Sequence, residues 1–535
     1  MSLSPRAGEP VSSFRRPSPE PPSPTVSPPT AYVKGLAVVI LLLGGLLRLY
    51  MLGTRGFWGD EIWTAQASTS QLASIFQYYL SYPGPLTFLL GHAALRILGD
   101  VPLEFALRWP STIASVLCLA VFFVLAYRYA GGAGALVGML LLAVAPYQVW
   151  YAQEARFYAW STLLALLGTY ALVRALDEPP RNRYWLVFGL ANVANLYNQP
   201  LPAVLLLLGQ SVLIGIWLLL SPSRRPIIGK ALVMYVLIAA AYWPVIQRVI
   251  ITGRMDAFNS ETFLAYQDFA FWLALADTVH ITVDQFAAGG VTAWVYLTLF
   301  LGGLLAVARQ RQWKLFALAL APPLAAVLLF AIARPRTGFL VRYALYAQPF
   351  YYLGIAAGIR ALAGWSGATF HRVAIRHGTA PPGAAGMTRI ITVGLVALLT
   401  AVSLLQVRQS YSRAKINDWR AVARYVDAHV QPGDLIVGSR WFKDALGWYL
   451  QRRDQVTMSV DDNPAVLEDL AHGRRLWYLQ LGPATSDVSL ALRRSLPVIA
   501  PMAWQDATLD YAADSFFPIS EPRVKVRLSE GGPTA

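Results

Sequence analysis

The sequence predicts a polytopic α-helical membrane protein with a small soluble α/β domain at its C-terminal end. Three observations carry this. Apolar runs of about 18 residues or more recur between Val33 and Val407, the length that crosses a bilayer. Hydrophobic residues make up 56% of the chain and charged ones 14%, against roughly 25% charged in a soluble domain. From about Arg408 the long apolar runs give way to an amphipathic helix pattern, a turn and short strand-like segments.

Charge and cysteine content narrow the class. The net charge of +15 fits basic cytoplasmic loops against anionic lipid, so it implies membrane lipids and no nucleic-acid partner. The lone cysteine, Cys118, lies inside an apolar run. It excludes an intrachain disulfide, a Cys-based metal site and a Cys-x-x-Cys redox motif.

Residues 1–30 are rich in Pro and Ser and read as a disordered cytoplasmic tail behind which no cleavable signal peptide is expected. Val33–Leu52 is the first span, and the basic residues before it, including Lys34, place the N-terminus inside. The stretch Gly56-Phe57-Trp58-Gly59-Asp60-Glu61-Ile62-Trp63 follows. Tryptophan suits the membrane edge, and an acidic pair between two tryptophans there is a functional candidate. Two solvated acids in an ordinary loop would account for the same residues.

Tyr82-Pro83-Gly84-Pro85 opens the next apolar run, Leu86–Leu98, which is too short to cross and is expected to lie in the outer interface. Charge tests this reading independently. If the run does not cross, Trp109–Tyr127 leads inward to Arg128, Gly134–Val149 leads out, and Ala159–Leu176 returns to Arg181 and Arg183. Arg224, Arg225, Lys230, Arg309, Arg311, Lys314, Arg372 and Arg376 then also fall inside, as the positive-inside rule requires. Trp185–Asn198 and Leu201–Leu220 form a pair broken at Asn198-Gln199-Pro200. Ala231–Ile251, Val291–Ala308, Leu315–Ala333, Tyr343–Leu362 and Ile390–Val407 bring the total to about eleven crossings. The expected organisation is thus a tail over 1–30, a membrane domain over 31–407 and an extracytoplasmic α/β domain over 408–535. That last domain lacks Gly-x-Gly-x-x-Gly, so no nucleotide is assigned to it.

Several polar residues fall at the outer face in this topology. Glu154 and Arg156 end the third crossing and share a compartment with Asp60. Arg334, Arg336 and Arg342 run against the positive-inside trend, and a guanidinium cluster there suits a phosphate, which it can grip with two parallel hydrogen bonds. Snorkelling to lipid headgroups accounts for at least one of the three. His92, four residues from Arg96, stands open between a structural role, a ligand and a phosphate contact. The segment over 252–290 carries Glu261, Asp268, Asp277, His280 and Asp284 among aromatics. These donors suit Mg²⁺ or Mn²⁺ by type, but no spacing among them is a metal signature, and an interfacial segment explains them equally.

The ordered set resembles the GT-C glycosyltransferases, in particular the protein O-mannosyltransferase and aminoarabinose-transferase-like group. The residues concerned are the Asp60-Glu61 pair after the first span, Tyr82-x-Gly-Pro opening a helix with His92, and Arg108-Trp-Pro-Ser. Tyr151-Ala-Gln-Glu-Ala-Arg-Phe-Tyr158, Arg342-Tyr343…Pro349 and Asp418-Trp-Arg-Ala-Val-Ala-Arg-Tyr complete the set. The resemblance spans roughly residues 33–450. One departure is that many members carry a His-Pro-Pro run where this chain has Tyr82-Pro83-Gly84-Pro85, which puts any metal ligand there in doubt.

The resemblance implies a multi-pass protein of the bacterial inner membrane. It implies transfer of a sugar from a polyprenyl-phosphate donor to an extracytoplasmic lipid, glycan or protein, with inversion at the anomeric carbon. Asp60 would be the general base, with Glu61 and Glu154 as further catalytic carboxylates. Arg342, Arg336, Arg156 and Arg108 would bind the donor phosphate, and His92 and Tyr82 are additional candidates. Three roles stay open for Glu154: orienting Asp60, binding acceptor or holding a divalent cation, Mg²⁺ or Mn²⁺. The rival class is a transporter or a flippase for lipid-linked glycans, since these too are polytopic; their polar residues cluster at mid-membrane.

Overall fold

The first apolar run folds as α1, Ala31–Leu49, begun by Thr30, whose hydroxyl accepts the Val33 amide and so satisfies a donor that the helix itself cannot. The computed structural model describes residues 28–79, 84–220, 225–252, 271–287, 289–333, 341–376, 384–411, 419–438, 442–459, 475–481, 498–502 and 524–529. Three short helices follow α1: α2, Gly59–Thr69, α3, Leu72–Tyr79, and α4, Pro85–Leu98.

The next helix, α5, Leu103–Ala143, turns back on itself at Gly131, whose φ of 71° is open to glycine and strained for other residues. Arg48 of α1 proves the hairpin. Its guanidinium donates to Ser115 Oγ at 2.7 Å on the descending half and to the Ala143 carbonyl at 2.9 Å on the returning half. A buried arginine at this depth needs such partners, because hydrocarbon supplies none.

The helices α6, Pro146–Ala152, α7, Tyr158–Asp177, α8, Asn182–Asn198, α9, Pro200–Leu220, and α10, Arg225–Thr252, continue the bundle. Next come α11, Phe271–Phe286, α12, Gly290–Arg309, and α13, Trp313–Ala333. A 3-10 turn, Val341–Ala347, leads into α14, Gln348–Arg376, and α15, Ala384–Tyr411. Helices α12 and α14 meet at Gly303, Gly354 and Gly358: an added Cβ would overlap the opposing backbone at Gly303 and Gly358, and the Phe300 ring at Gly354. Small residues four apart allow that approach between membrane helices.

Polar contacts define two ends of the bundle. At one, Asp177 accepts Arg128 and Lys314 at 2.9 Å each, together with the Tyr129 hydroxyl and the Trp217 indole. Lys230 reaches the Pro179 carbonyl and Asn182 close by, and Arg360 reaches the Ala130 carbonyl. At the other end lie Asp60, Arg108, Arg156 and Asn198, the last donating to the Phe157 carbonyl at 3.0 Å. Among the described residues seven helices are long and apolar enough to cross a membrane. With the returning half of α5, α8, α13 and α14, the chain makes about eleven passes between the two ends, as its apolar runs predict.

Helix α4 does not pass. Thr87 at its start bonds Asn198 at 2.9 Å, and the chain re-enters the bundle at Arg108, so both of its ends lie at the Asp60 end. It packs on α2 through Gly91. The segment expected as an outer loop over 252–290 contains α11; Glu261, Asp268 and the aromatics Phe263, Tyr266 and Phe269 lie outside the described residues.

Beyond α15 the chain forms α16, Trp419–His429, β1, Leu435–Gly438, and α17, Phe442–Tyr449, then β2, Thr457–Ser459, β3, Leu476–Leu481, β4, Val498–Met502, and β5, Val524–Ser529. The sheet order is β2-β1-β3-β5-β4, with β2, β1 and β3 parallel and β5 and β4 antiparallel. Trp419, Val422, Val426, Leu446 and Trp477 bury one face of the sheet. The same apolar cluster runs on into Phe57, Ile62, Leu107 and Ala155, so the sheet and the bundle share a core at the Asp60 end.

Candidate active site

The site forms where two short loops meet at that end. The first runs from α1 into α2 and carries Trp58, Asp60 and Glu61. The second joins α6 to α7 and carries Glu154, Ala155 and Arg156. The second loop is tied down on several sides. Ser111 and Thr112 of α5 donate to the Arg156 and Ala152 carbonyls, and the Gln153 amide donates to the Arg48 and Tyr50 carbonyls.

The two acids of the pair part company. Both lie in the first turn of α2, where the helix dipole favours a carboxylate, but successive residues on a helix point about 100° apart. Glu61 turns inward and is fully buried. It takes a forked pair of hydrogen bonds from Arg108, at 2.8 Å from Nε and 2.7 Å from Nη2, and a third from the Ala155 amide at 2.8 Å. The remaining Arg108 hydrogens go to the Leu52, Arg55 and Gly56 carbonyls. Glu61 and Arg108 were expected to act on substrate; this geometry spends both on each other and on the loop backbone. Nearby, burial and then the like charge of Arg108 lower the Arg55 guanidinium to about 10.

Asp60 turns outward. Its side chain is 38% exposed, and Oδ2 stands 3.5 Å from Arg156 Nη2. That is longer than the 2.7–2.9 Å of a tight charge-assisted bond. Arg156 is itself buried, lies against the Trp63 and Phe157 rings, and donates to the Asp60 carbonyl and Thr64 Oγ1 at 3.3 Å each. Arg342 comes in from the turn before α14. Its guanidinium sits 5.8 Å from the Trp58 ring centre and 5.9 Å from that of Tyr343. The buried Tyr158 packs edge-on against the Tyr343 ring, 6.1 Å between ring centres, next to Arg342 in the turn. Glu154, beside Ala155 in the second loop, is fully buried.

Of the expected residues, then, Asp60, Glu61, Glu154, Arg108, Arg156 and Arg342 converge. His92 does not. Its ring meets the Ser68 carbonyl at 3.0 Å, two turns along α2 and about 12 Å of helix from Asp60. Arg336 and Tyr82 lie outside the described residues. Reading the residues missed Trp58 and Tyr158 as site walls, although both stood within the quoted motifs. It missed Tyr449 and Glu104 altogether. The Tyr449 hydroxyl of α17 accepts the Phe57 amide at 2.7 Å and donates to Glu104 at 3.0 Å, while Arg420 of α16 bonds Glu104 and the Thr54 carbonyl. No signal in the sequence ties residues so far apart.

The divalent cation left open above has no ready set of ligands among the described residues. Glu61 belongs to Arg108 and Asp60 to Arg156, and among the described residues no group of three or more His, Cys, Asp or Glu side chains converges. Hard cations need several oxygen ligands at once.

Comparison with known proteins agrees with the architecture. Residues 82–251 match the family model described as dolichyl-phosphate-mannose-protein mannosyltransferase. No curated protein matches the chain. ArnT from Cupriavidus metallidurans in the apo state is similar in structure, with a TM-score of 0.53 and 14% identity over 93% of this chain and 98% of that one. So is the archaeal oligosaccharyltransferase AglB from Archaeoglobus fulgidus, in complex with an inhibitory peptide and a dolichol-phosphate, with a TM-score of 0.53 and 12% identity over 84% and 69% of the two chains. The chain is a polytopic membrane protein that shares its fold with ArnT and AglB.

Proposed function

We propose that this protein transfers a sugar from a polyprenyl-phosphate carrier to an acceptor hydroxyl on a lipid, glycan or protein, with Asp60 as general base. The observation that carries the reading is the half-exposed Asp60 carboxylate beside Arg156, with Arg342 over the neighbouring Trp58 ring, at one end of a bundle of membrane helices. A carboxylate at that depth can take a proton, guanidinium groups can hold a phosphate, and the bilayer can hold the carrier's tail. The AglB complex with a dolichol-phosphate, on the same fold, is consistent with such a carrier.

The chemistry follows from the charges. The acceptor O–H gives its proton to Asp60 as its oxygen attacks the anomeric carbon. The bond from that carbon to the phosphate oxygen breaks, and the electron pair stays on the phosphate, whose growing charge Arg342 and Arg156 hold. Attack from the side opposite the phosphate inverts the anomeric carbon. The loose Asp60–Arg156 contact has a use here: phosphate competes for Arg156 and leaves Asp60 to the acceptor proton.

The test is transfer from a panel of labelled polyprenyl-phosphate sugars, with wild type and Asp60→Asn compared. Asparagine keeps the shape and cannot take the proton, so transfer is expected to fall about 10²-fold or more with donor binding intact. Near-normal transfer by Asp60→Asn would remove the base.

A further inference from the structure

We infer a second anion site at the opposite end of the bundle, one that takes the phosphate of an anionic phospholipid headgroup. A cavity of about 510 Å³ opens there between α12, α14 and α15, beside the Gly131 turn. Such a volume suits a small ligand. Small residues, Ala133, Ala357 and Ala361, hollow it out. Its polar wall is made by Arg360 and Arg389 with Gln310, Gln312, Thr388 and Thr392, and no carboxylate lines it.

Some charges at this end are matched close by. Arg128 and Lys314 share Asp177, and Arg174 and Arg181 share Glu178. Arg360 and Arg389 share one cavity: among the described residues neither is in an ion pair, and Arg360 spends one nitrogen on the Ala130 carbonyl. Two guanidinium groups facing one cavity without an acid call for an anion, and phosphate matches their geometry.

The surroundings select a lipid over a free ion. The cavity lies at the bundle end, and α15 beside it carries Ile390 and Val393 exposed at 62% and 67%. An acyl chain can lie along those side chains while the headgroup enters between the arginines. Basic pockets between membrane helices hold anionic headgroups in this manner.

The full chain, purified and incubated with equimolar phosphatidylglycerol and phosphatidylcholine, is examined by native mass spectrometry. Preferential retention of phosphatidylglycerol is expected. Arg389→Gln, whose side chain is exposed and holds nothing else among the described residues, is expected to weaken that retention about fivefold. Arg360→Gln should act in the same direction, and Arg389→Gln keeps the test decisive if loss of the Ala130 contact unsettles the fold. Equal retention of both lipids, or retention untouched by Arg389→Gln, overturns the site. A melting temperature raised by inorganic phosphate in wild type and not in Arg389→Gln, without lipid preference, overturns the lipid assignment in favour of a free anion.

Discussion

Two neighbouring carboxylates, Asp60 and Glu61, meet opposite fates, and the difference is testable residue by residue. Glu61 and Arg108 are a buried, fully hydrogen-bonded pair. Removing one partner of such a pair leaves the other charge uncompensated and costs about 3–5 kcal/mol. Glu61→Gln is therefore expected to lower the melting temperature or yield of the protein, whereas Asp60→Asn should leave both near wild type. Equal melting temperatures for Glu61→Gln and wild type would show that Arg108 has another counter-charge. Arg342 makes a second contrast. Arg342→Ala should weaken donor binding strongly, Arg342→Lys should restore it only in part because an ammonium cannot reproduce the planar fork, and Arg183→Ala at the far end should do nothing. Titration with the carrier phosphate, read by change in melting temperature, checks all three. The acidic pair and the arginines were legible as candidates because charge is rare near a membrane. Which acid turns inward was not, since the partners of Glu61 lie 47 and 94 residues away in the chain.

At the scale of elements, length and charge were enough to place α4. Thirteen apolar residues cannot cross, and the basic loops agree only if they do not. What the residues could not show is how the loop before α4 seats. Gly84 has a φ of 126°, and a Cβ there would overlap the Tyr197 carbonyl. Gly84→Ala should thus displace the start of α4 from α8 and break the Thr87–Asn198 bond. Asn198 also holds the Phe157 carbonyl next to Arg156, so lost transfer with the fold intact by circular dichroism is the expected outcome. The helix α17 offers a milder probe. Tyr449→Phe removes the acceptor for the Phe57 amide and the donor to Glu104. An orphaned buried group costs about 1–3 kcal/mol, and hydrogen exchange over residues 53–61 should quicken. Unchanged exchange there would mean that the loop holds its shape without the sheet domain.

For the molecule as a whole, the passes between two ends were readable from apolar runs of sufficient length, because hydrocarbon thickness leaves a helix few choices. The facing expected from the basic loops is a separate prediction: single cysteines at Gly59, Gln153 and Gln199 should react with an impermeant thiol reagent from outside, in Cys118→Ala background, while one at Arg311 should not. Labelling of Gln153 from the cytoplasm would reverse the site. The docking of the sheet domain was not readable, since the contacts that seat it join sequence segments of quite different texture. The seat is nonetheless specific: Arg55 holds the Ser410 carbonyl 355 residues onward, and Phe57 and Thr54 are held from α17 and α16. This has a consequence for synthesis. The loop bearing Asp60 leaves the ribosome among the first segments, and the groups that brace it leave among the last. A nascent chain can thus insert every helix and still lack a finished site until the final domain has folded and docked. Chains halted before Trp419 should insert normally yet show the 53–61 loop open to protease, closing only once Tyr449 has been made.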